Sequence, residues 1–434
     1  MRRVLTLAAL AASLAVAAAG ARRDVFAVVG GRVVTVAGPV YDSATIVVRD
    51  GLIEALGAGV AAPADARVID AKGLTITPGL IDAFGGVGLP APPARSGGAG
   101  AASPAPAAAA SNPLAPQALA LDRVRPAEAL KARDQGITTA LVIPKEGVLP
   151  GRSVILNLSG EKAEGMVLKQ PAALHVHMAT LTRQYPGSLM GTLAYTRQAL
   201  YDAQRYREEW AAYDRSPRGK KRPRYDAGLE AWQDVLSGRE PLIVTATREN
   251  DLRRALALAD EFKIKVAVAG APQASRLASL IKQRSLPLLV SVNFDPPRAA
   301  TFFGPEDEER ERKDIEEAQK NPAELYKAGV RFALVSGHAA SFLDGIRKAI
   351  EKGLPREAAL EAVTLDAADA LGIADRTGSI ETGKIANLVA WSGEPLAKEA
   401  KVKMVFVDGL LYEPEERPER RGEPSPSPAP EVGR

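Results

Sequence analysis

Three histidines are the side chains in this 434-residue chain best suited to chemistry, and there are only three. His175 and His177 stand two apart in the apolar run AALHVHM, so on a strand both imidazoles leave the same face. His338 follows the apolar run RFALVSG. Imidazole titrates near neutral pH and is a common metal ligand. The three therefore suit an acid–base role or a three-histidine site for one divalent metal such as zinc. The alternative is a pair hydrogen-bonded in a pocket wall, with His338 solvated on a loop. Other apolar runs also end in polar side chains: Lys145 and Glu146, Asn157 and Ser159, Arg248 and Asn250, Asn293 and Asp295. Lys145, Arg152 and Arg248 are the candidate substrate-binding cations, since a guanidinium can clamp a carboxylate bidentately. Each arginine could equally pair with a neighbouring helix. The chain has no cysteine, which excludes disulfides, thiolate metal sites and cysteine nucleophiles. No Gly-x-Ser-x-Gly elbow or phosphate-binding loop stands out.

The runs that carry these residues number eight: LIDAFGG, ITTALVIP, SVILNLSG, AALHVHM, LIVTAT, KVAVAGA, PLLVSV and RFALVSG. Amphipathic segments such as DLRRALALADEF and AASFLDGIRKAIEKG separate several of them. Buried strands alternating with crossover helices predict an α/β fold, a (β/α)8 TIM-like barrel over 79–375, and place the three histidines at its C-terminal mouth. The third run fits least well, because Asn157 and Ser159 interrupt it. Outside the barrel, 24–78 and 376–413 are rich in hairpin signals. They predict a small flanking β-sandwich built from both ends of the chain.

Composition bounds the rest. With 46% hydrophobic and 25% charged residues the chain can build a large core, and a formal charge of +4 is too small to imply nucleic-acid binding. Residues 1–21 have the basic start, Leu/Ala run and small residues of a signal peptide, which predicts a periplasmic or secreted protein without a stable membrane anchor. The tract 89–116 reads as a flexible Ala/Pro loop and 414–434 as a disordered tail. A helical insertion spans 191–238. Its loop RSPRGKKRPRY resembles a nucleic-acid or heparin patch in miniature, although a solvated hairpin accounts for it as well.

Several stretches resemble the amidohydrolase superfamily, in particular its imidazolonepropionase-like branch. They are RDGLIEALG with ADARVIDAKGLTITPGLIDAF near the start, and REAALEAVTLDAADALGIADRTGSIETGKIANLVAW with VKMVFVDGLLYE near the end. SLMGTLAYTRQALYDAQRYREEW is similar to a helical insertion of some exported members. The resemblance implies a barrel with a flanking β-sandwich and a divalent cation that activates water to hydrolyse non-peptide C–N bonds. It also implies where the ligands should stand. The His-x-His pair of the first strand falls on Phe84 and Gly86, and the histidines of the fifth and sixth strands on Thr245 and Ala269. The aspartate of the eighth strand falls on Gly337, and the fourth strand has neither lysine nor glutamate.

The expectation is therefore an exported amidohydrolase-like pseudoenzyme without the usual metal or any other cofactor. It would bind a small molecule at the barrel mouth, or act as a partner subunit in a homo- or hetero-oligomer. The alternative is an active C–N hydrolase using a relocated site at His175, His177 and His338, with or without one divalent ion.

Overall fold

A computed structural model describes residues 24–90, 114–143, 147–181, 184–294, 305–338 and 341–414. The expected signal peptide lies outside these residues, as do most of the Ala/Pro loop, nearly all of the tail, and Lys145, Glu146 and Asp295.

The described chain forms a mixed α/β fold of three sheets. Five strands, β1 (Phe26–Val34), β2 (Val40–Arg49), β3 (Leu52–Gly57), β4 (Arg67–Asp70) and β5 (Thr75–Pro78), open the chain. Next come β6 (Leu80–Gly85), β7 (Ile137–Val142), β8 (Gly151–Arg152), β9 (Val154–Asn157), β10 (Val167–Lys169) and β11 (Leu174–His177). After them run β12 (Leu242–Ala246), β13 (Val266–Gly270), β14 (Leu288–Ser291) and β15 (Ala333–Val335). The last three are β16 (Leu388–Trp391), β17 (Val402–Val407) and β18 (Leu410–Tyr412).

Both ends of the chain share the first sheet. β16 lies antiparallel to β5, giving the order β18-β17-β16-β5-β1-β2-β3 with β4 also on β1. All eight strands are linked by hydrogen bonds through β1. The physical reason lies in β1, whose register shifts between Val29 and Gly31. Gly30 takes a φ of +81°, so the first half of β1 pairs with β4 and the second half with β5.

The other two sheets carry the eight predicted runs. Seven appear as parallel strands: β6 beside β7, and β11 through β15 in order. The third run does not. β9 is antiparallel to both β7 and β10. Its link to β7, Ile143–Ser153, is shorter than the crossover that a parallel neighbour requires.

The ladders do not join into one closed sheet, but their edges meet twice. The Gly337 N–H donates to the Phe84 carbonyl at 3.1 Å, and Ser153 exchanges backbone bonds with Ala172 and Ala173 at 2.9 Å. One apolar core lies between the two sheets, drawing Ile81, Leu141, Ile155, Ile243, Ala267, Leu289 and Val335 from successive strands. The opposite faces, with Leu174, Val176, Val244, Val268 and Val290, pack in a second core with Leu252 and Leu258 of the helix Glu249–Phe262 and Ile346 of the helix Phe342–Glu351. This period-two division sends His175 and His177 inward while Leu174 and Val176 face the helices.

Candidate functional site

His175 and His177 lie on β11, His177 as its last residue, and the register pairs them with Ile243 and Thr245 of β12. His175 is fully buried, and neither ring nitrogen has a hydrogen-bond partner. Burial, with His177 beside it, holds its imidazole neutral far below the usual pKa. Burial also depresses His177, to about 4, against the opposing pull of a hydrogen bond to the Gly147 backbone. That bond engages one nitrogen, and Nε2 remains buried and unpartnered, as does the Thr245 hydroxyl. A nitrogen donating to a carbonyl fixes the tautomer, so His177 Nε2 presents a lone pair into the interior.

Phe84 stands at the end of β6. Its ring centroid is 6.2 Å from that of His175 and 6.2 Å from that of His338. His338 follows β15 with a φ of +67° and lies over Gly86, where an added Cβ would come 2.6 Å from its Nδ1. The Phe84 ring thus stands between His175 and His338. Among the described residues no three His, Asp or Glu side chains gather to hold a metal ion.

The positions implied for ligands are structurally ordinary. Ala269 is buried in the core between the sheets. Gly337 has a φ of +54°, and an added Cβ would fall 2.0 Å from the Ser291 hydroxyl. With Phe84, Gly86, Ala269 and Gly337 offering no donor and Thr245 only a hydroxyl, these residues do not fit the divalent cation that the resemblance implies.

One carboxylate at this end escaped the sequence reading. Asp82 is fully buried on β6 and accepts from the Ser336 N–H at 2.9 Å and the Ser336 hydroxyl at 2.6 Å, with the Phe84 N–H at 3.4 Å. Burial raises its pKa, and these donors oppose the rise. Gly85 is required here, because a Cβ would sit 2.1 Å from the Asp82 carboxylate. An acid inside the apolar run LIDAF was the available signal.

The candidate cations separate. Lys145 lies outside the described residues. Arg152 is corrected: it pairs with Leu174 at the start of β11, at the end of the strand away from His177. Its guanidinium donates to Asp234 at 2.6 Å and to the buried Glu240. The antiparallel β8 carries it there, so it serves an internal ion pair and does not face the histidines. Arg248 follows β12 at the histidine end, is exposed, and forms no ion pair with a described residue. Asn157 turns to Thr139 and Asn387, and the Asn293 amide donates to the Gly337 carbonyl at 3.1 Å. A cavity of about 410 Å³ lies at the opposite end of β14 and β15, where Arg331 already bridges Asp366 and Asp369.

Comparisons with known proteins agree with this architecture. The model of the amidohydrolase family matches residues 274–411. A dihydroorotase of Geobacter sulfurreducens is 51% identical over 53 residues, 12% of either chain. An imidazolonepropionase of Erwinia tasmaniensis is 35% identical over 99 residues, 20% of this chain and 23% of the relative. The chain thus aligns with less than a quarter of the length of either. An amidohydrolase structure from Thermotoga maritima superposes with a TM-score of 0.76 at 24% identity, covering 89% of this chain and 99% of that one. A Xaa-Pro dipeptidase structure with bound methionine reaches a TM-score of 0.57 at 17% identity, covering 90% and 100%.

Proposed function

We propose that the chain is a member of the amidohydrolase superfamily and, within it, a pseudoenzyme that binds an uncharged small molecule at the histidine end of its strands. In this reading the two inner sheets form the superfamily's (β/α)8 barrel. The support is their shared core and the two seams at Phe84–Gly337 and Ser153–Ala173. The leader-like residues 1–21 support export to the periplasm or beyond.

One observation carries the reading. All five positions that would hold the catalytic ion lack a carboxylate or imidazole, while both ring nitrogens of His175 and Nε2 of His177 are buried without partners. Buried polar atoms without partners are costly, and a ligand that supplies the missing bonds recovers that cost. His177 Nε2 asks for an N–H or O–H donor, and the neutral surroundings disfavour a full charge. An amide, lactam or imide offers both the donor and the neutrality.

The test has two parts. Purified protein incubated with zinc or manganese and then desalted should retain far less than one ion per chain. Melting temperature measured across a panel of lactams, imides and amides should rise for a subset, and the rise should vanish in His177→Phe. One tightly held ion per chain, or a stabilising ligand indifferent to His177, would overturn the proposal.

A second reading, a metal-free hydrolase of C–N bonds using His175, His177 and His338, draws on the unpartnered nitrogens of His175 and His177. Turnover of such compounds that His177→Gln abolishes would favour it.

A further inference from the structure

The basic loop of the helical insertion has a structure that the binding reading does not use. The helix Leu189–Arg215 buries Thr192, Leu193, Thr196, Leu200, Ala203 and Tyr206. Its last turns, beyond Tyr206, hold no fully buried residue. The segment Arg215–Tyr225 follows, with Arg215, Arg218, Lys220, Lys221, Arg222 and Arg224 and no acidic residue.

Elsewhere on the surface arginines and lysines are commonly paired, as in Arg205–Glu209, Arg276–Glu317 and Arg284–Asp260. None of the six loop cations forms an ion pair with a described residue. The flanking acids are Asp214, which is exposed, and Asp226, whose side chain accepts from the Leu229 N–H to cap the next helix.

Three of the cations fix the loop. Arg215 donates to the Ala211 carbonyl at 3.2 Å and Lys220 to the Ala212 carbonyl at 2.7 Å, both in the last turns of the helix. The Arg222 guanidinium lies 5.5 Å from the centre of the Trp210 ring. The other three, Arg218, Lys221 and Arg224, are exposed and have no polar partner, and Tyr225 beside them is 66% exposed.

We infer that this exposed loop docks the protein on an anionic phospholipid surface. Unpaired lysines and arginines held at one point are attracted to such a surface additively, and an exposed tyrosine suits the headgroup layer. A nucleic-acid strand is the less suitable polyanion, because Tyr225 is the single aromatic ring of the loop and the rings on the preceding helix end are engaged internally. Trp210 takes Arg222 on its ring and packs edge-on with Tyr206 and Tyr213 at 6.2 and 6.3 Å. No helix among the described residues is long and apolar enough to cross a membrane.

The experiment is co-sedimentation of the full chain with vesicles of phosphatidylcholine, with and without phosphatidylglycerol. Binding should require phosphatidylglycerol and fall steeply with added salt. The triple variant Arg218→Ser, Lys221→Ser, Arg224→Ser should bind on the order of a hundredfold more weakly. Its melting temperature should not change, because the three side chains have no partners to lose. A control, Lys313→Ser, Lys320→Ser, Lys348→Ser, lowers the net charge equally and should bind like the parent. No binding to anionic vesicles at low salt, equal losses in both triple variants, or tighter binding to a single-stranded oligonucleotide than to the vesicles would each overturn the inference.

Discussion

The imidazole of His338 rests on Gly86 so closely that a methyl group on Gly86 would lie 2.6 Å from its Nδ1. Gly86 is where the resemblance implies the second ligand of the first strand, so one loss and one surviving histidine are coupled in space. The His338 ring fills room that a side chain at 86 would need. Gly86→Ala should therefore displace the His338 ring and cost about 1 kcal/mol. Gly165→Ala, where an added Cβ meets nothing within 4 Å, should cost less. Histidine ring resonances and melting curves of the two variants measure this.

Gly337 is the harder position to refill. Its φ of +54° disfavours any L side chain, and a Cβ would strike the Ser291 hydroxyl at 2.0 Å. Gly337→Ala should lose at least about 2 kcal/mol. Gly337→Asp, which restores the family's residue type, should fare no better and gain no tight zinc. Denaturant unfolding and metal analysis of both variants decide it.

The buried histidines predict acid sensitivity. His177 titrates at about 4 in the fold against 6.5 as its ordinary value. The unfolded chain therefore binds the extra proton, and stability is lost as pH falls from 6.5 toward 4. The expected loss from this group is about 3 kcal/mol. His175, depressed further by its burial, acts in the same direction. Unfolding measured across that window should be steep in the parent and flatter in His177→Gln.

How much of this was legible depended on the range of the interaction. Alternation within AALHVHM placed both imidazoles on one face, and β-branched runs marked the strands. Direction was not legible for β9, because an apolar run reads the same whether its neighbour is parallel or antiparallel. The partner of Asp82 was hidden for a different reason: Ser336 is 254 positions away, and no local pattern links them. The fate of Arg152 turned on that same strand direction.

Arg152 and Arg248 should now behave differently. Arg152→Ala strands the buried Glu240 without its cation, while Asp234 keeps Arg239, and should cost about 3–5 kcal/mol. The double variant Arg152→Met, Glu240→Leu should recover much of that loss. Arg248→Ala should leave stability within about 0.5 kcal/mol of the parent, because its guanidinium is exposed and unpaired. Chemical denaturation of the three proteins checks the order.

Asp82 contributes a pH effect of the opposite sign. Burial raises its folded-state pKa, so the folded chain favours the protonated acid. Its contribution is greatest below the usual carboxyl value of 3.8 and declines as pH rises toward the folded value. Asp82→Asn should remove that slope, with the amide oxygen still accepting from the Ser336 and Phe84 N–H groups. Asp82→Ala should cost more than about 2 kcal/mol by leaving those donors unmet. Stability curves above pH 4 separate the two.

The sheet shared by the two ends of the chain sets an order of events during synthesis. β5 is made early, yet its antiparallel partner β16 arrives only after nearly all the intervening chain. Until then one edge of β5 offers unpaired amides and carbonyls, the template on which strands of other molecules can add. Asn387 is late as well, and its amide donates to Thr139 at 3.1 Å and to Asn157 at 3.1 Å. The newborn protein therefore has to be shielded along that edge until its last fifty or so residues emerge. A chain interrupted before Leu388 would carry an open β edge and aggregate.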